Sequence, residues 1–224
     1  LIFGLPKQGI KAWEYNLQEA IKIHPEHLSL YNLIVEEGTP LAEYISKGEI
    51  PAPDEDIAAD MYELTMDVLA STGYEQYEIS SWAASPEFES RHNKAYWQMT
   101  SYIGVGAAAG GFAENVRTVN TPTIPDYIRK ISDQESTLPF PFSEANTERN
   151  IVENFTQMQE TMMLGLRLTR EGISQAEFYQ RFEQEMMQVF PQEIARLLDK
   201  GLVEWVKLAD GQHLRLTRRG RMLG

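Results

Sequence analysis

The first part of the chain alternates short apolar runs with a segment of helical periodicity. Residues 1–6 (LIFGLP) form an apolar run ending in a turn-forming Gly-Leu-Pro, which predicts a buried strand and the loop after it. Trp13, Leu17 and Ile21 then recur at helical spacing, and the β-rich apolar run 27–34 (HLSLYNLI) follows. The order strand, helix, strand predicts a parallel α/β sheet or barrel, in which ligands bind at the carboxyl ends of the strands.

A second helix and strand follow with clear boundary signals. Asp54 occupies an N-cap position, acidic residues fill the first turn, and Gly73 ends the periodic segment. The next run, 74–80 (YEQYEIS), predicts another strand. Glu75 and Glu78 lie in this run, and we interpret them as a solvated strand edge rather than as a catalytic pair of carboxylates.

The pattern changes after the Gly- and Ala-rich segment 102–112. Several prolines between residues 113 and 149 indicate a linker. Helical periodicity then resumes, with an apolar face that includes Ile151, Phe155 and Met158. This change predicts that a second unit of the chain begins near residue 150.

The last segment carries the signals of a small helical domain with a hairpin. Ser174 and Glu177 form a capping-box pattern, and Ile173 and Phe178 flank it in the positions of a hydrophobic staple. Apolar-rich runs on either side of the turn sequence Asp210-Gly211 predict a β-hairpin. Several helices followed by a hairpin are typical of a winged-helix domain.

We therefore divide the chain into an α/β part over residues 1–112, a linker over 113–149 and a winged-helix-like domain over 150–224. With 42% hydrophobic and 24% charged residues, the composition is that of a globular protein with a substantial core. The chain opens without methionine on an apolar run, so we expect a further part to precede it. No apolar run approaches the roughly 18 residues of a membrane span.

Charge and cysteine content exclude several classes of function. A net charge of −13 argues against nonspecific attraction to nucleic acid or to anionic membranes, although basic residues outnumber acidic ones between Arg196 and the C-terminus. The chain has no cysteine. Disulfides, thiol nucleophiles and thiolate-ligated clusters or zinc sites built from its own residues are therefore excluded.

Residues 90–97 (SRHNKAYW) are the main candidate for a ligand site. A neutral imidazole is a good iron ligand, flat aromatic faces suit a porphyrin plane, and Arg91 and Lys94 offer cations for propionates. A loop histidine beside core aromatics also explains the stretch, so these residues alone leave both interpretations open. The other histidines show no partnered pattern and are assigned no role: His24, His27 and His213.

Several motifs occur together in a family order: LIFGLPKQ, HLSLYNLIVEEGTPL, PDEDIAADMYELTMDVLASTGYEQYEIS, HNKAYW, YIGVGA and MMLGLRL. Their order resembles the HemW heme-chaperone branch of the radical S-adenosylmethionine proteins, which is itself similar to oxygen-independent coproporphyrinogen III oxidase. The resemblance extends from residue 1 to about residue 222. It implies the C-terminal part of a partial (β/α) radical-SAM-type barrel followed by a small winged-helix-like domain.

The resemblance also implies the heme site. In this branch an HNxxYW motif separates the heme chaperones from the true oxidases, and the motif is intact here. We therefore expect His92, Asn93, Tyr96 and Trp97 to bind heme, with His92 as a ligand of the heme iron.

The same resemblance implies cofactors that this chain alone does not ligate. The family's CxxxCxxC triplet binds a [4Fe–4S] cluster whose open iron holds S-adenosylmethionine, so both are expected only in the full-length protein. Ile2 and Ile34 match strand-end positions that contact S-adenosylmethionine, although packing of buried strand ends also explains two apolar residues. Where the family usually has a Gly-Ala-His stretch, Gly110 stands in place of the histidine.

The implied function is to bind heme and deliver it to acceptor proteins in the cytoplasm, with peripheral contact where an acceptor is membrane-bound. The alternative is an oxygen-independent coproporphyrinogen III oxidase, which decarboxylates propionate side chains by a radical reaction. A remote alternative is a winged-helix DNA-binding module, but no nucleic-acid partner is expected for so acidic a chain. Without cluster cysteines, catalysis by this chain alone is not expected, and the oligomeric state stays open.

Overall fold

A computed structural model of the protein describes residues 1–132 and 138–223. The elements of the N-terminal part are β1 (Ile2–Phe3), α1 (Ile10–Lys22), β2 (His27–Ser29), β3 (Tyr31–Asn32), α2 (Pro40–Ser46), α3 (Glu55–Ser71), β4 (Glu75–Glu78), β5 (Ser81–Ala83) and α4 (Arg91–Trp97). Those of the middle are β6 (Gly110–Ala113), β7 (Val116–Asn120), α5 (Ile124–Ser132) and β8 (Asn146–Ile151). The C-terminal part has α6 (Asn154–Gly165), β9 (Ile173–Ser174), α7 (Gln175–Phe182), α8 (Met186–Val189), α9 (Pro191–Asp199), β10 (Val203–Leu208), β11 (Gly211–Leu216) and α10 (Arg218–Arg221).

The N-terminal core forms where α1 and α3 pack together beside β1. Trp13 and Leu17 of α1 are fully buried, as the apolar spacing predicted. The indole Nε1 of Trp13 donates to the Met61 carbonyl at 3.1 Å and to Thr65 Oγ1 at 2.8 Å, so the buried donor is satisfied. Asp54 caps α3 by accepting a hydrogen bond from the Ile57 amide at 3.0 Å, which confirms the predicted helix start.

The prediction of a parallel sheet is correct only for β1 and β3, which pair in parallel. In the same region β2, β5 and β4 form a separate antiparallel sheet. The reason is the short connection of Ile79 and Ser80 between β4 and β5, since a parallel pair needs a long crossover. Strand β5 follows the predicted strand too closely to be recognised as a separate element.

The segment interpreted as a linker contains strands, so its description as a linker is wrong for the described residues. Antiparallel strands β6, β7 and β8 form one sheet, and the proposed boundaries at 112 and 150 fall inside β6 and β8. The prolines that suggested a linker lie outside these strands, and β8 is polar and largely exposed, which hides it from an apolar pattern. Residues 133–137 of this segment lie outside the described residues.

The C-terminal part builds a second core around the sheet β10-β11-β9. The predicted hairpin is confirmed, with β10 and β11 paired from Val203 and Leu216 to the turn before Gly211. The predicted cap is also confirmed, because Ser174 Oγ accepts a hydrogen bond from the Glu177 amide at 3.3 Å. Ile173 and Phe178 belong to the same buried cluster.

The predicted apolar face of α6 is wrong at its N-terminal end. Met158 is buried, but Ile151 is 76% and Phe155 is 56% exposed. Ile151 ends β8 instead of starting the helix, so the helical spacing does not extend back to it. None of the helices in the described part of the chain has the length and apolar character that crossing a membrane requires.

Hydrogen bonds and an ion pair join the two cores, in part along the loop 166–172, which follows α6. The Ile79 amide donates to the Arg167 carbonyl at 3.0 Å, and Thr169 Oγ1 donates to the Gln76 carbonyl at 3.0 Å. Arg218 of α10 also reaches the carboxylate of Asp67 on α3. The C-terminal part therefore lies against β4 and the turn after it.

Candidate functional site

A cavity of about 710 Å³ lies between the N-terminal sheet, α4 and the loop 166–172. We call it the central cavity. Its volume is within the range of about 300–1,000 Å³ that small-molecule sites occupy. The wall includes Phe3, Tyr62 and Ile79 from the first core and Arg221 and Met222 from the C-terminus.

All of the residues expected to bind heme line the central cavity: His92, Asn93, Tyr96 and Trp97. They lie on the helix α4 and not on the loop of the alternative interpretation, because Ser90 caps the helix by accepting from the Asn93 amide at 3.2 Å. This placement supports a shared site, since residues of one short helix face one cavity.

At the exposed end of this wall, three aromatic rings pack edge to face in a row. His92 and Tyr96 are one helical turn apart, and their ring centroids are 4.8 Å apart with the planes nearly perpendicular. Tyr96 meets Tyr102 in the same way at 4.7 Å. His92 is exposed, so its imidazole nitrogens are accessible to a ligand from the cavity side.

The inner end of α4 is covered by an arginine that we did not single out from the sequence. The guanidinium carbon of Arg167 lies 4.3 Å from the ring centroid of Trp97, at cation–π distance. Trp97 Nε1 and Arg167 Nε are both buried without a hydrogen-bond partner. One face of the predicted stacking residue is thus occupied by a cation. The available signal was a lone charge in the otherwise apolar run MMLGLRL.

Lys94 does not face the cavity as a free cation, which corrects its interpretation as a propionate partner. Its ammonium lies 2.9 Å from Glu89 Oε2 and 2.8 Å from Glu171 Oε1. Arg170 also pairs with both carboxylates. We call Glu89, Lys94, Arg170 and Glu171 the ion-pair cluster. The cluster fixes the start of α4 to the loop 166–172.

The floor of the central cavity contains buried polar groups. Glu78 is 1% exposed and accepts a hydrogen bond from the Ser80 amide at 3.2 Å, so its interpretation as a solvated strand edge is wrong. Burial raises the pKa of Tyr62 to about 12, and its hydroxyl donates to the Ile79 carbonyl. Burial also lowers the pKa of Arg221, which donates to Gln76 Oε1 at 3.1 Å.

The two residues expected to contact S-adenosylmethionine are separated by the structure. Ile34 lines the central cavity and is 72% exposed, whereas Ile2 is 50% exposed and lies outside the lining. The explanation by packing at buried strand ends therefore fails for both. Gly110 lies at the start of β6 and is also outside the lining.

The described part of the chain has no site that would hold an iron–sulfur cluster or a metal ion through several side chains. No group of three or more His, Cys, Asp and Glu side chains is placed there to hold a metal ion. Because the sequence also has no cysteine, the residues present do not fit a [4Fe–4S] cluster.

Two histidines without an assigned role have structural partners. His27 Nε2 lies 2.8 Å from the Tyr77 hydroxyl, and burial lowers the pKa of this histidine. His213 is 5% exposed, with Nδ1 3.0 Å from the Glu171 carbonyl and Nε2 3.0 Å from Asp210 Oδ1. Neither lines the central cavity.

Comparison with known proteins identifies related sequences along the whole chain. Residues 153–223 match the HemN C-terminal domain. Heme chaperone HemW of Bacillus subtilis is 35% identical over 224 residues, covering 100% of this chain and 55% of the relative. Radical S-adenosyl methionine domain-containing protein 1, mitochondrial, of Mus musculus is 33% identical, covering 98% of this chain and 49% of the relative.

A solved structure supports the same fold. Coproporphyrinogen III oxidase (HemN) from Escherichia coli, described as a radical SAM enzyme, matches with a TM-score of 0.70 at 18% identity, covering 100% of this chain and 51% of that one. The chain spans about half the length of the relatives it matches. The resemblance stated from the motifs is confirmed: this chain is similar along its whole length to heme chaperone HemW sequences, its residues 153–223 match the HemN C-terminal domain, and its fold is similar to that of HemN.

Proposed function

We propose that this chain supplies the heme-binding site of a HemW-like heme chaperone, with heme as its cargo in the central cavity. One observation carries the proposal: the four motif residues His92, Asn93, Tyr96 and Trp97 line a single cavity of about 710 Å³. His92 is exposed there and has no hydrogen-bond partner among the described residues, so its imidazole is free to approach iron. The relatives named heme chaperone HemW support the same cargo.

The wider function follows as part of this proposal. The N-terminal part through α4 would be the last strands and helices of a partial (β/α) radical-SAM-type barrel, and the segment 153–223 that matches the HemN C-terminal domain would be a winged-helix-like accessory domain. In the full-length protein a [4Fe–4S] cluster and S-adenosylmethionine would be bound largely by residues outside this chain, with Ile34 at the cavity rim as a contact. The protein would deliver heme to acceptor proteins from the cytoplasm.

The test is a heme titration of the parent chain and of His92→Ala, followed by the Soret band under reducing and oxidising conditions. If His92 ligates the iron, the variant's Soret band shifts or disappears, and its affinity falls by several-fold or more, about 1 kcal/mol or above. His24→Asn is the matched control, because His24 is an exposed histidine at φ 52°, a conformation that asparagine tolerates. Identical spectra and affinities for parent and His92→Ala would remove His92 from the site.

Trp97→Ala separates stacking from ligation. Removing the indole should weaken heme binding while the Soret position stays that of the parent, because stacking area is lost and the iron ligand is kept. A Soret shift equal to that of His92→Ala would contradict this division of roles.

The oxidase alternative rests on the fold shared with coproporphyrinogen III oxidase. It requires decarboxylation of porphyrinogen propionates, which a chaperone does not perform. The intact HNKAYW motif favours the chaperone, as its resemblance implies. Vinyl-product formation by the full-length, cluster-loaded protein would favour the oxidase.

A further inference from the structure

We propose that Arg167 binds a carboxylate of the ligand in the central cavity. This proposal deepens the heme-binding proposal and rests on it for the identity of the cargo. A carboxylate reaches such a cavity from a porphyrin propionate or from the methionine part of S-adenosylmethionine. The shared chemistry is a carboxylate beside a flat apolar surface.

The first argument is that the charge of Arg167 is not neutralised by the protein. Within residues 1–132 and 138–223, no carboxylate lies within ion-pair distance of Arg167, and no hydrogen bond reaches its side chain. Its Nε is buried and unpaired. A partly buried guanidinium without an anion is costly, so a group that supplies the anion binds favourably.

The second argument is orientation. The guanidinium carbon lies 4.3 Å from the centre of the Trp97 ring, and the Arg167 carbonyl is fixed by the Ile79 amide at 3.0 Å. Stacking on an indole restricts a guanidinium, and a restricted planar fork suits bidentate binding of a carboxylate. Arg167 thus presents an oriented donor set in the wall that also carries His92.

The third argument is that the other cations near α4 are either paired or outside the cavity lining, as Arg91 of α4 is. Lys94 lies between Glu89 and Glu171, and Arg170 pairs with the same two carboxylates. Arg221 donates to Gln76 Oε1 and to the Thr169 carbonyl. Arg221 also lines the cavity and has an unpaired Nε, but two of its donors are used by the protein, whereas no side-chain donor of Arg167 has a partner among the described residues.

The experiment compares heme with its dimethyl ester, whose propionates are uncharged, in the parent chain and in Arg167→Met. We expect the variant to bind heme at least tenfold more weakly and to bind the dimethyl ester as the parent does. Methionine retains much of the apolar stem while removing the fork. Arg219→Met, an exposed arginine of α10 outside the cavity lining, is the control and should match the parent for both porphyrins.

A second arm measures binding of S-adenosylmethionine by equilibrium dialysis. If Arg167→Met loses S-adenosylmethionine binding while its heme binding is unchanged, Arg167 still binds a carboxylate, and that carboxylate belongs to the methionine part of S-adenosylmethionine. Equal weakening of heme and dimethyl ester would overturn the proposal, since Arg167 would then act only by supporting Trp97, while heme binding itself would stand. Failure of the parent to bind either porphyrin or S-adenosylmethionine would overturn both proposals. Melting curves of each variant separate these results from loss of fold.

Discussion

Two arginines of the loop 166–172 have opposite surroundings. Arg170 pairs with Glu75, Glu89 and Glu171, whereas Arg167 contacts the face of Trp97 and no carboxylate among the described residues. The first belongs to the ion-pair cluster and the second to the central cavity. A charge whose partners are all internal contributes to the fold, and a charge without partners is available to a ligand.

The histidines repeat this contrast. His213 is buried, and both ring nitrogens face oxygen acceptors, those of the Glu171 carbonyl and the Asp210 carboxylate. His92 is exposed, its ring meets that of Tyr96, and it forms no hydrogen bond with any residue that the structure describes. Residue type alone does not separate these two roles, but the number of polar partners around each ring does.

The largest expected effect is on the ion-pair cluster. The side chain of Glu89 is 5% exposed and lies near the cations of Lys94 and Arg170. Glu89→Ala should reduce the free energy of unfolding by about 2–3 kcal/mol, less than the full loss for a buried pair because both cations are partly exposed and retain Glu171. Urea unfolding measures this loss.

Asp67→Ala is the control for this prediction, because it breaks the exposed pair with Arg218 and should lower the free energy of unfolding much less than Glu89→Ala does. Arg167→Met should also leave stability close to that of the parent. Equal losses of unfolding free energy in Glu89→Ala and Arg167→Met would contradict the distinction between the ion-pair cluster and the central cavity.

The next prediction compares the free energy of unfolding that is lost when each of the two histidines is replaced by alanine. His213→Ala removes a buried ring with two polar contacts and should cost about 2 kcal/mol. His92→Ala should change stability by no more than about 0.5 kcal/mol, as for an exposed side chain. Thermal or urea unfolding of both variants measures these losses. A larger loss of stability for His92→Ala than for His213→Ala would indicate that the HNKAYW motif has a structural role.

The smallest effect is a pH dependence of the ion-pair cluster. Burial disfavours the charged form of Glu171, but hydrogen bonds and charges from Lys94 and Arg170 outweigh it and hold its pKa below the ordinary 4.5. A depressed pKa in the folded state contributes stability above the unfolded value, and this contribution is lost as the pH falls through the folded value.

We therefore expect Glu171→Gln to be less stable than the parent by about 0.5–1 kcal/mol at pH 7, with the gap closing as the pH falls below 4.5. Urea unfolding across this range measures the gap. Glu204→Gln is the control, because Glu204 pairs with Arg215 at the surface of the hairpin. If the stability difference between the parent and Glu171→Gln stays constant with pH, the carboxylate charge of Glu171 is not its cause.

Local signals in the sequence were reliable where the deciding forces are local. The cap of α3 at Asp54, the cap of α7 at Ser174 and the hairpin around Gly211 depend on hydrogen bonds or turn conformations within a few residues. The motif order also identified the family, and the comparisons confirm it. Polar strand β8 was missed, because an exposed strand carries no apolar alternation.

The sequence by itself determined the residue types at the site and the helix-forming segments around them. It did not determine that Arg167, 70 positions after Trp97 in the chain, would lie on that ring, nor that Lys94 would be neutralised by Glu171. Only the tertiary structure decided which cation faces the cavity with its donors free. The physical reason is that the availability of a charge depends on neighbours brought together from distant segments, and local periodicity contains no information about those neighbours.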